Sequence, residues 1–400
     1  MGVFKALEQT YGSEFSDVNQ AFIAAKKSFS KANYDEVMRY FSMDVDAEDP
    51  LRNWKDLEVA EACLPESVLR DISLHIYRSY ATHGSPAELK NEAATAAFLL
   101  GPFQCLTCLF GGILRDKPEQ FIPGTTLSGG GRVEVEIFCR ETVCTLLREL
   151  KFDVHKDFAH NVGQACCELF ATWQLNQRNN KDAAVKEPAL FIPVYVTLSD
   201  TNSSYCLSYD GKEFRRKALP AIPPTTSAQD YVWASLQVAQ YLFAVLLDGY
   251  NKTLKLYQAR SEHRGRNGDS SARGSHLPVT QIPVPPLMTA SVERTSSTGW
   301  ADAAKLGWQS AQHFKRAHES KSEIAAQQGL DLLYQSISAW PPASSSFKSF
   351  LPNAIEISIN NIMAKYRNTR LYDPNPDWTP PEETENAIGF PLEVTCSVFY

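Results

Sequence analysis

Glu149 and Lys151 stand two residues apart in Arg148-Glu149-Leu150-Lys151. In a strand both would project from one face, where a carboxylate beside an ammonium can hold a hard cation and steady negative charge as it develops. In a helix they would diverge by about 200° and share no chemistry. The segment Thr142 to Lys151 permits either, because Val143, Leu146, Leu147 and Leu150 fit a helical stripe as well as a strand. Upstream, Arg132-Val-Glu-Val-Glu-Ile137 alternates strictly, with Glu134 and Glu136 on the face opposite Val133, Val135 and Ile137. Glu134 precedes Glu149 by fifteen residues, about what two adjacent antiparallel strands and a turn require. Each acid also has a plainer reading. Glu134 and Glu136 suit the solvated face of an edge strand, and Glu149 with Lys151 suits the surface of an amphipathic helix.

The elements that must position these residues read as follows. Val18 to Phe29 and Tyr34 to Phe41 are expected helices, broken by Asp49-Pro50, and another runs from Leu64-Pro65-Glu66-Ser67 to about Tyr80. Ser85-Pro86-Ala87-Glu88 has the form of a capped helix start, continuing through Glu92 into the uncharged run Ala97 to Leu114. That run contains Pro102, Gln104 and three glycines, which favours a buried helix over a membrane span. Phe121 to Gly124 and Ser128 to Gly131 are expected turns. Phe158 to Gln177 carries the helical stripe Val162, Ala165, Cys166, Leu169, Phe170 and Trp173. Phe191 to Leu198 and Tyr205 to Tyr209 form a hairpin, Asp210-Gly211 turns the chain again, and Ala228 to Tyr250 is a long apolar helix. The chain divides accordingly into a helical region at 1–84, a core at 85–258, a loop or linker at 259–298 and a helical region at 299–400. The last region contains helices at about Trp300 to Ala339 and Ser346 to Tyr366, then an irregular proline-rich tail.

Composition narrows the class. The chain has 400 residues, 44% hydrophobic and 21% charged, which suits a folded protein and not a disordered one. The net charge of -7 excludes a global basic field, so nucleic acid would have to be held by a local patch. Arg215-Arg216-Lys217 is one such cluster, and Arg260, Arg264, Arg266 and Arg273 form another. Nine scattered cysteines, and Met1 to Thr10 without an apolar run, fit an intracellular, reducing compartment. Cys105-Leu-Thr-Cys108 has redox or zinc spacing but lies in an apolar helix without a second pair. Ser128 to Gly131 lacks the Lys-Ser/Thr of a phosphate loop.

Taken in order, helix residues Asn91-Glu92, the strand Gly131-Arg-Val-Glu134, the strand ending Glu149-Leu150-Lys151, the helix Gly163-Gln-Ala-Cys-Cys-Glu-Leu-Phe170 and the following hairpin resemble a known pattern. The pattern is that of the PD-(D/E)XK, or restriction-endonuclease-like, nuclease domains found in many fungal proteins. The family usually has Asp where this chain has Glu134, one methylene longer. The resemblance implies a mixed α/β sheet flanked by helices, with helical extensions at both ends. It implies a magnesium or manganese ion on Glu134 and Glu149, with Lys151 acting on the attacking water. Gln164 would orient a ligand or the water, and Glu92 would lie further out. The implied partner is DNA or RNA, and no membrane; the basic clusters, Arg215, Arg216, Lys217, Arg260, Arg264 and Arg266, are the local residues that could touch its phosphates. Two alternatives stand beside a nuclease. One is a catalytically inactive relative that binds or scaffolds. The other is a self-assembling helical coat or nucleoprotein, which would form homo-oligomers and have no carboxylate-and-lysine cluster.

Overall fold

The computed structural model describes residues 27–45, 48–139, 143–179, 192–222, 227–267 and 297–340, with the backbone alone at 263–267 and 297–298. The expected helix at Val18 to Phe29, up to residue 26, lies outside the described residues, as do Ser346 to Tyr366, the tail, and positions 268–296 of the linker.

The chain opens with a 3-10 turn Phe29–Lys31, helix α1 (Tyr34–Tyr40), a short β1 (Lys55–Asp56) and α2 (Glu66–His83). A second 3-10 turn, Pro86–Glu88, leads to α3 (Glu92–Cys108). Strands β2 (Leu114–Pro123), β3 (Gly130–Cys139) and β4 (Val143–Leu150) follow, then α4 (Phe158–Asn179). Next come β5 (Val194–Ser199), β6 (Ser204–Tyr209) and β7 (Phe214–Ala218). Helices α5 (Ala228–Asn267), α6 (Ser297–Ser320) and α7 (Glu323–Ser338) complete the described chain.

The seven strands form one mixed sheet in the order β1-β7-β6-β5-β4-β3-β2. Strands β2, β3 and β4 are an antiparallel meander. Helix α4 then carries the chain over to β5, which joins β4 in parallel, as a crossover of this length allows. Strands β6 and β7 extend the sheet antiparallel, and the two-residue β1 closes that edge beside β7. At the other edge, β2 contains Pro118, tolerated because an edge strand has no neighbour on that side to receive an amide. Glu119 beside it adopts φ 49° and drops out of the ladder.

Helices cover both faces, so the architecture is α/β with a flanked mixed sheet. On one face Val162, Ala165, Cys166 and Leu169 of α4 share a buried core with Leu147, Val196, Leu198 and Leu207, joined by Val37 and Met38 of α1. Gly163 makes this approach possible: a Cβ there would stand 3.1 Å from Tyr34 Cα. The other face receives α3 and α5. Gly249 of α5 lies directly over Thr145, where a Cβ would stand 3.0 Å from the threonine Cβ. Phe243 of α5 meets Phe110 and Phe314 with ring centroids 5.8 and 4.9 Å apart. By length and composition Ala228–Glu262 is apolar enough to cross a membrane, but Phe243, Leu246, Tyr250 and Leu254 within it are buried inside this fold.

Several expectations are corrected. The Ser85 sequence makes only the isolated Pro86–Glu88 turn; α3 is capped instead by Asn91, whose side chain accepts the Ala94 N–H at 2.9 Å. Phe121 to Pro123 belong to β2, and the turn begins at Gly124. The linker starts later than 259, because α5 runs to Asn267; Gln258 donates to Glu262 one turn on, at 2.9 Å. The single helix at Trp300 to Ala339 is two, broken where Lys321 takes φ 52° and Ser322 caps α7 through the Ala325 N–H.

Candidate active site

The segment Thr142 to Lys151 is a strand where it is described, and the geometry of the site follows from that. Strands β3 and β4 pair Val135 with Arg148, Glu136 with Leu147 and Ile137 with Leu146. The register then shifts, so that Phe138 faces Cys144 and Thr145 is the extra residue of a bulge. One step beyond the Val135–Arg148 pair, Glu134 and Glu149 project together from the opposite face. There the ladder between the two backbones gives way to a side chain: Glu134 Oε2 accepts the Leu150 N–H at 2.6 Å. On the other side of β4 the parallel ladder continues past the strand, with the Lys151 N–H donating to the Ser199 carbonyl at 2.8 Å. Lys151 therefore keeps strand geometry, and its Nζ lies 2.5 Å from Glu149 Oε1.

Two helices complete the cluster. Glu92, the first residue of α3, places Oε1 3.8 Å from Lys151 Nζ. From α4, Gln164 Nε2 donates to Glu149 Oε1 at 2.6 Å and to Glu168 Oε1 at 2.9 Å. All five residues singled out from the sequence, Glu92, Glu134, Glu149, Lys151 and Gln164, thus come together. Glu168, which lies in the Gly163-to-Phe170 motif but is assigned no role from the sequence, joins them. Its signal was its place four residues after Gln164, on the same helix face.

The site is short of positive charge. Burial, then the nearby Glu149 carboxylate, push the Glu134 carboxyl up to about 8. Burial likewise raises Glu149, although the Lys151 ammonium pulls the other way. Glu168 is fully buried and held well above the carboxylate range, by burial first and by Glu149 next. Burial works against the charge on Lys151, yet Glu149, Glu92 and Glu134 outweigh it and raise its pKa, so the ammonium keeps its proton. One oxygen of Glu149 and one of Glu168 are buried with no hydrogen-bond partner. An unpaired carboxylate oxygen on a crowded acidic site suits a divalent cation. Glu134 and Glu149 are the side chains that could hold one, with water and substrate filling the other positions, as magnesium favours. Among the described residues no three His, Cys, Asp or Glu side chains form a ready-made metal cage.

Other sequence candidates stand apart. Glu136 is buried beside Lys117, its partner across the β2–β3 ladder, and burial raises it to about 7. Arg215, Arg216 and Lys217 lie on β7, three strands from β4, with Arg215 ion-paired to Glu213. Arg260 is on α5, its guanidinium 6.0 Å from the Tyr257 ring centroid. Arg264 and Arg266 follow on the same helix, in the part described by backbone alone, and Arg273 lies outside the described residues. Of the histidines near the cluster in sequence, His155 pairs with Ser203 and His160 with the Ala32 carbonyl. Burial pushes the Cys105 thiol up to about 12 and raises Cys108 as well, so neither is a ready thiolate. No family model, no curated protein and no solved structure matches this chain.

Proposed function

We propose that this chain is a divalent-metal-dependent nuclease with a restriction-endonuclease-like core, hydrolysing phosphodiester bonds in DNA or RNA. The observation that carries the reading is the convergence of Glu134, Glu149 and Lys151 at one end of β3 and β4, with Gln164 holding Glu149 from the crossover helix. The order of elements supports it: α3, the meander β2–β3–β4, the crossover α4 and the parallel β5 make a mixed sheet with a helix on each face.

In this reading Glu134 and Glu149 hold magnesium or manganese. When bound, the ion supplies charge neutralisation at the phosphate and a more acidic water. Lys151 stays protonated and steadies the negative charge of the transition state. Gln164 fixes the direction of the Glu149 carboxylate, and Glu168 remains neutral as the second acceptor of that amide. The departure at Glu134 favours a second reading, a relative that binds nucleic acid without turnover, because its Oε2 is already committed to the Leu150 amide.

The deciding experiment is magnesium- or manganese-dependent cleavage of single- and double-stranded DNA and RNA, alongside calorimetric metal titration. Cleavage with metal binding supports the nuclease. Metal-independent nucleic-acid binding without cleavage supports the second reading. No metal binding and no cleavage removes the first.

A further inference from the structure

Arg148 is the residue of β4 next to Glu149, and it points the other way, between α3 and α5. Only 4% of it is exposed, and its guanidinium carbon lies 4.0 Å from the centroid of the Phe103 ring. Among the described residues it forms no ion pair, and its Nη1 is buried without a hydrogen-bond partner. Phe103 satisfies the face of the guanidinium but leaves the in-plane donors free. A buried cation left in this state is costly unless something pairs with it.

Arg148 lines a cavity of about 70 Å³ that opens to solvent. Phe98, Leu106, Ile222, Val238 and Leu242 make its wall apolar, and Thr197 and Ser199 edge it with hydroxyls. Asp200 also borders it, but its carboxylate is committed to the backbone: it accepts the Val154, Asn202 and Ser203 N–H groups at 2.8, 2.7 and 2.7 Å. A mostly apolar cleft with one convergent polar group is the ordinary form of a small-molecule site.

We infer that this pocket binds an amphiphilic monocarboxylate, with the carboxylate forked on the Arg148 guanidinium and the apolar body lying along Phe98, Leu106 and Val238. A carboxylate matches the planar fork. The single cation and the neighbouring Asp200 charge disfavour a phosphate dianion. The site is separate from the acidic cluster, since β4 lies between them, and it does not depend on the nuclease reading.

The test is calorimetric titration of the full chain with decanoate, decan-1-ol and decyl phosphate. Decanoate binds with a stoichiometry of one, and decan-1-ol, lacking the charge, binds about tenfold or more weakly. Arg148→Met keeps the apolar bulk, folds, and binds decanoate and decan-1-ol alike. The proposal is overturned if decanoate does not bind, if decan-1-ol binds as well, or if decyl phosphate binds more tightly than decanoate. It is overturned equally by a folded Arg148→Met variant that keeps the preference for decanoate. Should that variant not fold, the comparison of decanoate with decan-1-ol on the unmodified protein decides alone.

Discussion

A single amide nitrogen, Gln164 Nε2, bridges Glu149 Oε1 and Glu168 Oε1 at 2.6 and 2.9 Å. The crossover helix thereby holds the acid of the third meander strand, and two buried carboxyl groups share one donor. Burial raises the deeper of them, Glu168, well above the carboxylate range, which favours its protonated form. Glu168→Gln, which is also neutral, should therefore change stability by less than about 1 kcal/mol, whereas Gln164→Leu should cost about 1–3 kcal/mol by stranding Glu168 Oε1 and leaving Glu149 Oε1 to Lys151 alone. Urea unfolding of the two variants measures this. A Glu168→Gln cost as large as that of Gln164→Leu would mean that Glu168 is ionised.

Lys151 is not a metal ligand in the proposed site. Lys151→Ala should lower cleavage by a factor on the order of 10² or more while leaving metal affinity within a few-fold. Single-turnover cleavage and calorimetric titration of the same preparation separate the two effects. Parallel loss of metal binding would move Lys151 from charge stabilisation to assembly of the site.

Glu149→Gln should lose metal binding and cleavage together, because a neutral amide is a poor ligand for a hard dication. Its Oε1 remains an acceptor for Gln164, and one charge leaves a crowded set of acids. Without metal, the melting temperature should hold steady or rise. A marked fall would show that the Lys151 ion pair outweighs the burial of the carboxylate.

The raised carboxyl of Glu134 sets a pH dependence. Its folded value of about 8 lies above its ordinary value of 4.5, so the folded state takes up protons that the unfolded state does not. This contribution to stability is complete below about pH 4.5 and is lost as pH rises through about 8. Glu149 and Glu168 are shifted in the same direction. The metal-free protein should melt at lower temperature at pH 8 than at pH 6, and magnesium should reverse the loss, since the ion replaces the proton. Scanning calorimetry at both pH values, with and without magnesium, gives the sign directly. A metal-free melting temperature that climbs over this range contradicts the assignment.

If the arginines of α5 hold nucleic acid, replacing Arg260, Arg264 and Arg266 with Ala should flatten the salt dependence of binding. Each arginine–phosphate pairing removed in this way should reduce the log-log slope by about 0.9 for duplex DNA. Arg215→Ala should change it less, because Arg215 is already paired with Glu213. Fluorescence anisotropy across a salt series distinguishes the two sets.

The parts of this fold legible in the sequence are those where one periodicity dominates. Alternation at Arg132 to Ile137 marked β3, and a helical stripe marked α4. Strand β4 was ambiguous for a physical reason. It is buried on both faces, so it lacks alternation, and the Thr145 bulge puts Cys144 and Leu147 in one core at a spacing of three, as a helix would. Strand β2 left no signal because it is a largely exposed edge strand whose Arg115, Asp116, Lys117, Pro118 and Glu119 resemble a loop. The acids of β3 and β4 could be listed from spacing, but their convergence depends on the β3–β4 register and on the α4 crossover, which no local pattern encodes. The Arg148 pocket was invisible for the same reason, since its walls come from segments far apart in the chain.

The two ends of the sheet bear on how copies of this chain could meet. A strand from another molecule laid along β2 would find no amide at Pro118 and a kinked backbone at Glu119. Laid along β1 it would find a template of two residues, Lys55 and Asp56. Neither margin offers the long, flat row of unpaired backbone groups on which edge-to-edge aggregation and strand swapping feed. Concentrated solutions of the folded protein should therefore resist fibril growth seeded from the sheet. Any assembly among the described residues must be built from side-chain surfaces, where point substitutions can tune or abolish it.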